Sequence, residues 1–169
     1  MIRMRTDHRH VGTFIRHEHL VRINDPANAA GAWLTREQLW QGLRHTVAVP
    51  QVHDESIDAA RVLECSPTLL KRELRRGASS ALDDVDLIIG ESIVIRADAS
   101  SPFWGSRLTI RIEEPQAEML FVRFTYELHG LEPDREVEED DARFSAYEAY
   151  DIERIRAARR HAAGACRVQ

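Results

Sequence analysis

The stretch RLTIRIEEPQAEMLFVRFTYEL, residues 107–128, decides the fold class. Leu108, Ile110 and Ile112 alternate with Arg107, Thr109 and Arg111. After Glu114-Pro115-Gln116 the alternation resumes, with Leu120, Val122, Phe124, Tyr126 and Leu128 against Phe121, Arg123, Thr125 and Glu127. A period of two over both runs predicts two half-buried strands. The link between them is short, so they must be antiparallel, because a parallel return needs a crossover of about a dozen residues or more. One face of the pair is apolar and the other mostly solvated, and another element has to cover the apolar face.

The strand pattern extends upstream. From Ala59 onward, Ser66-Pro67-Thr68, Gly77-Ala78-Ser79-Ser80, Gly90-Glu91 and Ser100 to Ser106 act as turn signals, so consecutive strands form an antiparallel meander. A separate first strand is predicted from His17 to Asn24, where His17, His19, Val21 and Ile23 alternate with Glu18, Leu20, Arg22 and Asn24 before Asp25-Pro26 ends the run. Leu34-Thr35-Arg36-Glu37-Gln38-Leu39 then reads as a helix start. Thr35 as N-cap accepts from the backbone N–H of Gln38, the Gln38 side chain reaches back, and Leu34 packs on Leu39 as a staple. Leu39, Trp40, Leu43 and Val47 mark the buried face of this helix, and Pro50 limits it. Gln51 to Ser56 is a loop or one short helical turn.

The cover for the sheet lies at the C-terminus. Val137 to Ala163 contains neither Gly nor Pro and is rich in Ala, Glu and Arg, which predicts one helix of roughly 40 Å. Glu138, Glu139, Asp140 and Asp141 crowd its start and Arg154, Arg156, Arg159 and Arg160 its end, matching the helix dipole, and Gly164 is the expected stop. The fold class is therefore α+β, a curved antiparallel sheet wrapped around a long C-terminal helix. The expected organisation is a loose extension over 1–13, one domain over 14–164 and a tail over 165–169.

Composition excludes several classes of function. The chain has 169 residues with 43% apolar content, enough for one core without disulfides or metals as staples. Its formal charge is -5 and its basic residues are dispersed, so no nucleic acid and no anionic membrane is expected as a partner. Cys65 and Cys166 have no CxxC spacing and read as free thiols. Charge interrupts the first twenty residues too often for a signal-peptide core or a membrane span, so a cytoplasmic location and no membrane insertion are expected.

The residues Glu18-His19-Leu20-Val21-Arg22-Ile23-Asn24-Asp25, Leu34 to Leu43, Leu108 to Pro115 and Leu120-Phe121-Val122-Arg123-Phe124 resemble the AtaL-like family of the START-like, helix-grip superfamily. The resemblance runs from about residue 17 to 160. It implies about seven strands around the C-terminal helix and binding of lipids, hormones or polyketide-like compounds, with some branches acting as aromatic cyclases. The motifs are structural, and none of them names a catalytic group. The chain departs from the family pattern in Gln51-Val52-His53-Asp54 and in Trp104 beside Gly105, both expected near the pocket entrance.

A cavity between sheet and helix would be lined by Leu108, Ile110, Phe124 and Tyr126 from the strands, Trp40 from the first helix, and Tyr147, Asp151 and Ile155 from the last. Two helix phases fit. One turns Phe144, Tyr147, Glu148, Asp151 and Ile155 inward, where Asp151 would need a donor or a raised pKa. The other, turned toward Ala149 and Ile152, leaves Asp151 in water and is preferred. Arg72 shares a strand face with Leu70 and Leu74. Either it pairs with Asp151 or an acidic ligand group, or, as the preferred reading, it reaches out from a sheet end to water. Tyr126 either offers its hydroxyl to a ligand or packs locally.

The pairs His8/His10 and His17/His19 have strand-type metal-ligand spacing, but the first lies in the extension and no carboxylate follows at a matching interval, so no metal and no cofactor is expected. Cys65 and His53 have no context that would make them nucleophile and base. Phe103-Trp104 is a lid or a dimer contact, and a homodimer stays open.

Three functions compete: binding or carriage of a small apolar or amphipathic molecule, a cyclase or dehydratase acting on a polyketide-like compound, and an interaction module with a filled core. Convergence of several polar side chains on one point would favour chemistry, a smooth wall with one anchor would favour binding, and a filled interior would favour the third.

Overall fold

The computed structural model describes residues 13–27, 32–97, 105–131 and 137–165. The extension up to residue 12 with His8 and His10, the Phe103-Trp104 pair, and Cys166 with the rest of the tail lie outside the described residues. The order is β1 (Thr13–Arg22), α1 (Arg36–Ala48), a 3-10 turn (Pro50–Val52), β2 (Ala59–Cys65), β3 (Leu69–Arg76), β4 (Ser79–Ile88), β5 (Ser92–Ala97), β6 (Ser106–Glu113), β7 (Phe121–Leu131) and α2 (Val137–Ala165). The strands form one seven-stranded antiparallel sheet in the order β1-β7-β6-β5-β4-β3-β2. The meander is the predicted one, and β1 closes it by pairing with β7. Gly77 and Gly90 have φ of 58° and 72° in the β3–β4 and β4–β5 turns, a conformation that glycine adopts without a Cβ penalty. Among the described residues no helix is long and apolar enough to cross a membrane.

The capping box is formed. Thr35 Oγ1 accepts from Gln38 N–H at 3.1 Å and Gln38 Oε1 accepts from Thr35 N–H at 2.9 Å. Arg36 then donates to the carbonyls of Gly90 and Ile112, which seats the start of α1 over one end of the sheet. Leu39, Trp40, Leu43 and Val47 are all buried, each contributing about 1.5–3 kcal/mol relative to exposure. The helices α1 and α2 cross closely at Gly42, where a Cβ would lie 2.6 Å from the Ala158 carbonyl oxygen. Asn24, just past β1, is buried and ties three elements: its amide donates to Leu34 and Glu118 carbonyls and its oxygen accepts from Leu34 N–H.

Two elements differ from expectation in their bounds. β1 begins at Thr13 and ends at Arg22, because Asn24 turns away to make these bonds. α2 does not stop at Gly164 but runs to Ala165, and among the described residues a Cβ at Gly164 would meet open space.

Strand register sorts the interior into rows. His19, Phe124, Ile110, Ile93 and Leu87 form one row, and His17, Tyr126, Leu108, Ile95, Val85 and Leu70 the next. Leu128, Ser106, Ala97, Asp83 and Arg72 follow. The rows nearest α1 are dry and close-packed against Leu39, Leu43, Ile155, Ala158 and Ala162. Polarity grows toward the other end.

Candidate functional site

At that more polar end the sheet and α2 diverge around a cavity of about 410 Å³, partly open to solvent. Leu74, Ala81, Ile95, Leu108, Tyr126 and Leu128 make its sheet wall, and Ala146, Tyr147, Tyr150 and Arg154 its helix wall. Pro50, His53 and Ile57, from the segment after α1, close a third side. The lining is mainly apolar, and the volume lies within the range of about 300–1,000 Å³ usual for small-molecule sites.

The polar groups form two sets. In the first, the Tyr126 hydroxyl donates to Asp151 Oδ2 at 2.7 Å, and Tyr147 stacks on the Tyr126 ring with centroids 4.0 Å apart. Asp151 also has His19 Nε2 at 3.2 Å and Arg154 Nε at 3.4 Å. In the second, Arg154 lies over the Tyr150 ring at 5.2 Å, His53 meets the same ring edge-on at 4.9 Å, and the Tyr150 hydroxyl donates to Asp54 at 3.2 Å. Asp54 is held in place by Arg76 at 3.0 Å.

Burial sets the protonation of these groups. It pushes His53 down to about 3, with the charge of Arg154 adding to the effect, so the imidazole is neutral at ordinary pH. Among the described residues neither His53 nitrogen has a hydrogen-bond partner. Burial also raises Tyr126 well above the usual phenol value, helped by the Asp151 charge, and raises Tyr150. The cavity wall thus presents a neutral imidazole and phenols together with charged groups: Arg154, the paired Arg72 and Asp83, Arg76 and Arg107.

The expected residues separate into lining, core and supporting positions. Arg72, Leu108, Tyr126 and Tyr147 line the cavity. Trp40, Ile110, Phe124 and Ile155 do not; they lie in the close-packed core on the α1 side. Asp151 supports Tyr126 from behind, and the preferred helix phase is corrected. Asp151 is fully buried, while Ala149 and Ile152 are exposed, because the Tyr126 hydroxyl from β7 donates to Oδ2 and His19 from β1 and Arg154 lie beside the carboxylate. Arg72 lines the cavity but neither pairs with Asp151 nor reaches out to water. It is buried, donates to Asp83 Oδ2 from Nε at 3.0 Å and Nη2 at 2.8 Å, and bonds the Val47 carbonyl at the end of α1. Asp83 is its register partner on β4, and the last carbonyls of a helix lack intrahelical partners.

His53, Tyr150 and Arg154 were missed as lining residues. Arg154 belongs by sequence to the run of arginines that matches the helix dipole, yet its side chain is 4% exposed. The i, i+4 spacing of Tyr150 and Arg154, one step from Tyr147, was the available signal. Cys65 is exposed on β2 and does not line the cavity.

On the β1 side, His17 and His19 both face α2. His17 Nε2 lies 3.5 Å from Glu148 Oε1, and His17 stacks on Phe144 with centroids 4.3 Å apart. The carboxylate that the sequence spacing lacked is supplied by the helix.

Residues 21–164 match the profile of the AtaL family, described as acetylaranotin biosynthesis cluster protein L. No curated protein matches the chain. Among solved structures, the Zhui aromatase/cyclase from Streptomyces sp. R1128 is 12% identical with a TM-score of 0.63, covering 89% of this chain and 94% of its own. The di-domain ARO/CYC StfQ from the steffimycin biosynthetic pathway is 10% identical with a TM-score of 0.68; 90% of this chain is covered, and the chain spans only 52% of StfQ. Ara h 8.0201 is 9% identical with a TM-score of 0.57, covering 90% of this chain and 99% of its own. At these identities the likeness shows the helix-grip fold.

Proposed function

Because this chain belongs to the AtaL family, we propose that its cavity binds and carries a small, mainly apolar molecule bearing a few oxygen functions, of the kind made in secondary metabolism. The observation that carries this reading is the cavity of about 410 Å³ walled by apolar side chains, with His53, Tyr150 and Arg154 converging on one side. A neutral imidazole with no hydrogen-bond partner among the described residues and a guanidinium over a ring suit hydroxyl and carbonyl groups on a flat ligand. Native mass spectrometry of the purified chain tests the reading. A copurified or added polyketide-like compound should stay bound in stoichiometric amount; a folded chain that retains none, and takes up no apolar fluorescent probe, overturns it.

The second reading is a cyclase or dehydratase in the same cavity. The convergence of tyrosines, His53 and Arg154 favours it, as does the likeness to proteins titled aromatase/cyclase. Against it stands basicity. An imidazole at about 3 is a poor proton acceptor at neutral pH, and tyrosines pushed upward are poor acids. Release of a bound compound with the mass of one water lost would decide for chemistry. The filled-core reading is not carried further, since the interior holds a cavity.

A further inference from the structure

We propose that His17, His19 and Glu148 form a binding site for one divalent first-row transition ion, zinc or iron(II) in its chemistry, between β1 and α2. His17 and His19 are two residues apart on a strand and so share a face, and Glu148 and Asp151 are three apart on a helix and share another. The two faces meet. His17 Nε2 is 3.5 Å from Glu148 and His19 Nε2 is 3.2 Å from Asp151. One ligand atom from each of His17, His19 and Glu148 lies within 4.8 Å of the other two. Three donors on a tetrahedral zinc, with bonds of about 2.1 Å, stand roughly 3.4 Å apart. The His17–Glu148 pair already stands at 3.5 Å, so binding asks for small side-chain adjustments in this group, in which Glu148 is half-exposed.

A second observation points to a ligand. The His17 and His19 side chains are 13% and 9% exposed, yet among the described residues no well-formed hydrogen bond reaches His17 Nε2 or either nitrogen of His19, whose Nε2 has only the 3.2 Å approach of Asp151. Their rings stack on Phe144 and Phe124, and their polar neighbours among the described residues are the carboxylates of Glu148 and Asp151. Buried imidazole lone pairs without donors are what an ion would satisfy. Asp151, fixed by Tyr126 and Arg154, is the carboxylate beside a ligating histidine that metal sites use to set its tautomer. Two imidazoles and one carboxylate leave open positions on the ion, a set suited to zinc or iron(II) and poorly suited to calcium or magnesium. None of the three residues lines the cavity, so the site is distinct from the proposed ligand pocket.

Cobalt(II) titration of the full chain, stripped with chelator, tests the proposal. One equivalent should bind with visible d–d bands, and zinc should displace it. Glu148→Gln, at a partly exposed position, should weaken binding by more than about tenfold, and His17→Ala should abolish it, with circular dichroism unchanged. The double variant His8→Ala/His10→Ala should bind like the unaltered chain. Bands that survive His17→Ala, bands lost in the His8/His10 variant, or no uptake by the folded chain would each overturn the site. Independently of any variant, zinc should shift the imidazole nitrogen signals of two of the eight histidines; shifts confined to other histidines refute it.

Discussion

Tyr126 donates its phenolic hydrogen to Asp151 at 2.7 Å, and both residues are buried, at 8% and 0% exposure. The bond joins the last strand to the long helix at the boundary between core and cavity. Tyr126→Phe removes only the hydroxyl and leaves a buried carboxylate short of a donor. The expected loss is about 1.5–3 kcal/mol, seen as a lower urea midpoint at unchanged slope. A loss below about 0.5 kcal/mol would show that His19 and Arg154 alone satisfy the carboxylate.

Arg72 and Asp83 form a buried ion pair. Removing one partner strands the other charge, so Arg72→Met is expected to cost about 3–5 kcal/mol. Arg72→Met combined with Asp83→Leu should recover most of that loss, because replacing a buried pair by apolar side chains is often neutral. A double variant as unstable as the single one contradicts this account.

Gly42→Ala would stabilise an isolated helix by up to about 1 kcal/mol. Here the sign should reverse. The added methyl would meet the backbone of Ala158 at 2.6 and 2.9 Å, and α1 and α2 must separate to admit it. A destabilisation of roughly 1–3 kcal/mol is expected by thermal or urea unfolding, and a rise in stability would show that the crossing is looser than described.

Position decides what a tryptophan does inside this domain. Leu108 lines the cavity, so Leu108→Trp should fill space and reduce binding of an apolar fluorescent probe with little change in stability. Ile110 is fully buried one row away, so Ile110→Trp should overpack the core and cost about 1–3 kcal/mol. Equal behaviour of the two variants argues against the division into core and cavity.

His53 accepts a proton near pH 3 in the folded chain and near 6.5 when unfolded. Between those values the unfolded state holds more protons, so the contribution of His53 to stability is complete above 6.5 and declines as pH falls toward 3. The difference in unfolding free energy between the unaltered chain and His53→Gln should be flat above neutrality and fall on acidification. Parallel pH curves would show that the imidazole is more exposed than its position implies.

Much of the fold was legible because each signal is local. The alternation in β6 and β7, the capping box at Thr35 and the turn residues act over a few positions, and none depends on distant partners. The site was less legible for the opposite reason. Asp151 is stable in the interior only because Tyr126 and His19 come from other strands, and a helix whose inner face includes Ala157, Ala158 and Ala162 gives little hydrophobic contrast from which to read its phase. Arg72 likewise depends on Asp83 across a turn and on a carbonyl of α1. His53 sits in a polar segment with no periodicity, so the segment could be placed near the pocket entrance by resemblance while nothing singled out the imidazole as lining.

The closure of the sheet by β1 on β7 sets a timetable for the nascent chain. β1 ends at Arg22 and its only described strand neighbour begins at Phe121, about one hundred residues later. At roughly 5–20 residues per second, translation leaves the first strand without its partner for about 5–20 s. During that interval its backbone donors and acceptors and its inward residues, His17, His19 and Val21, have no native place to go. The N-terminal strand is therefore the segment that a ribosome-bound chaperone has most reason to hold, and arrested chains ending before Phe121 should be cut there by protease while those carrying α2 resist.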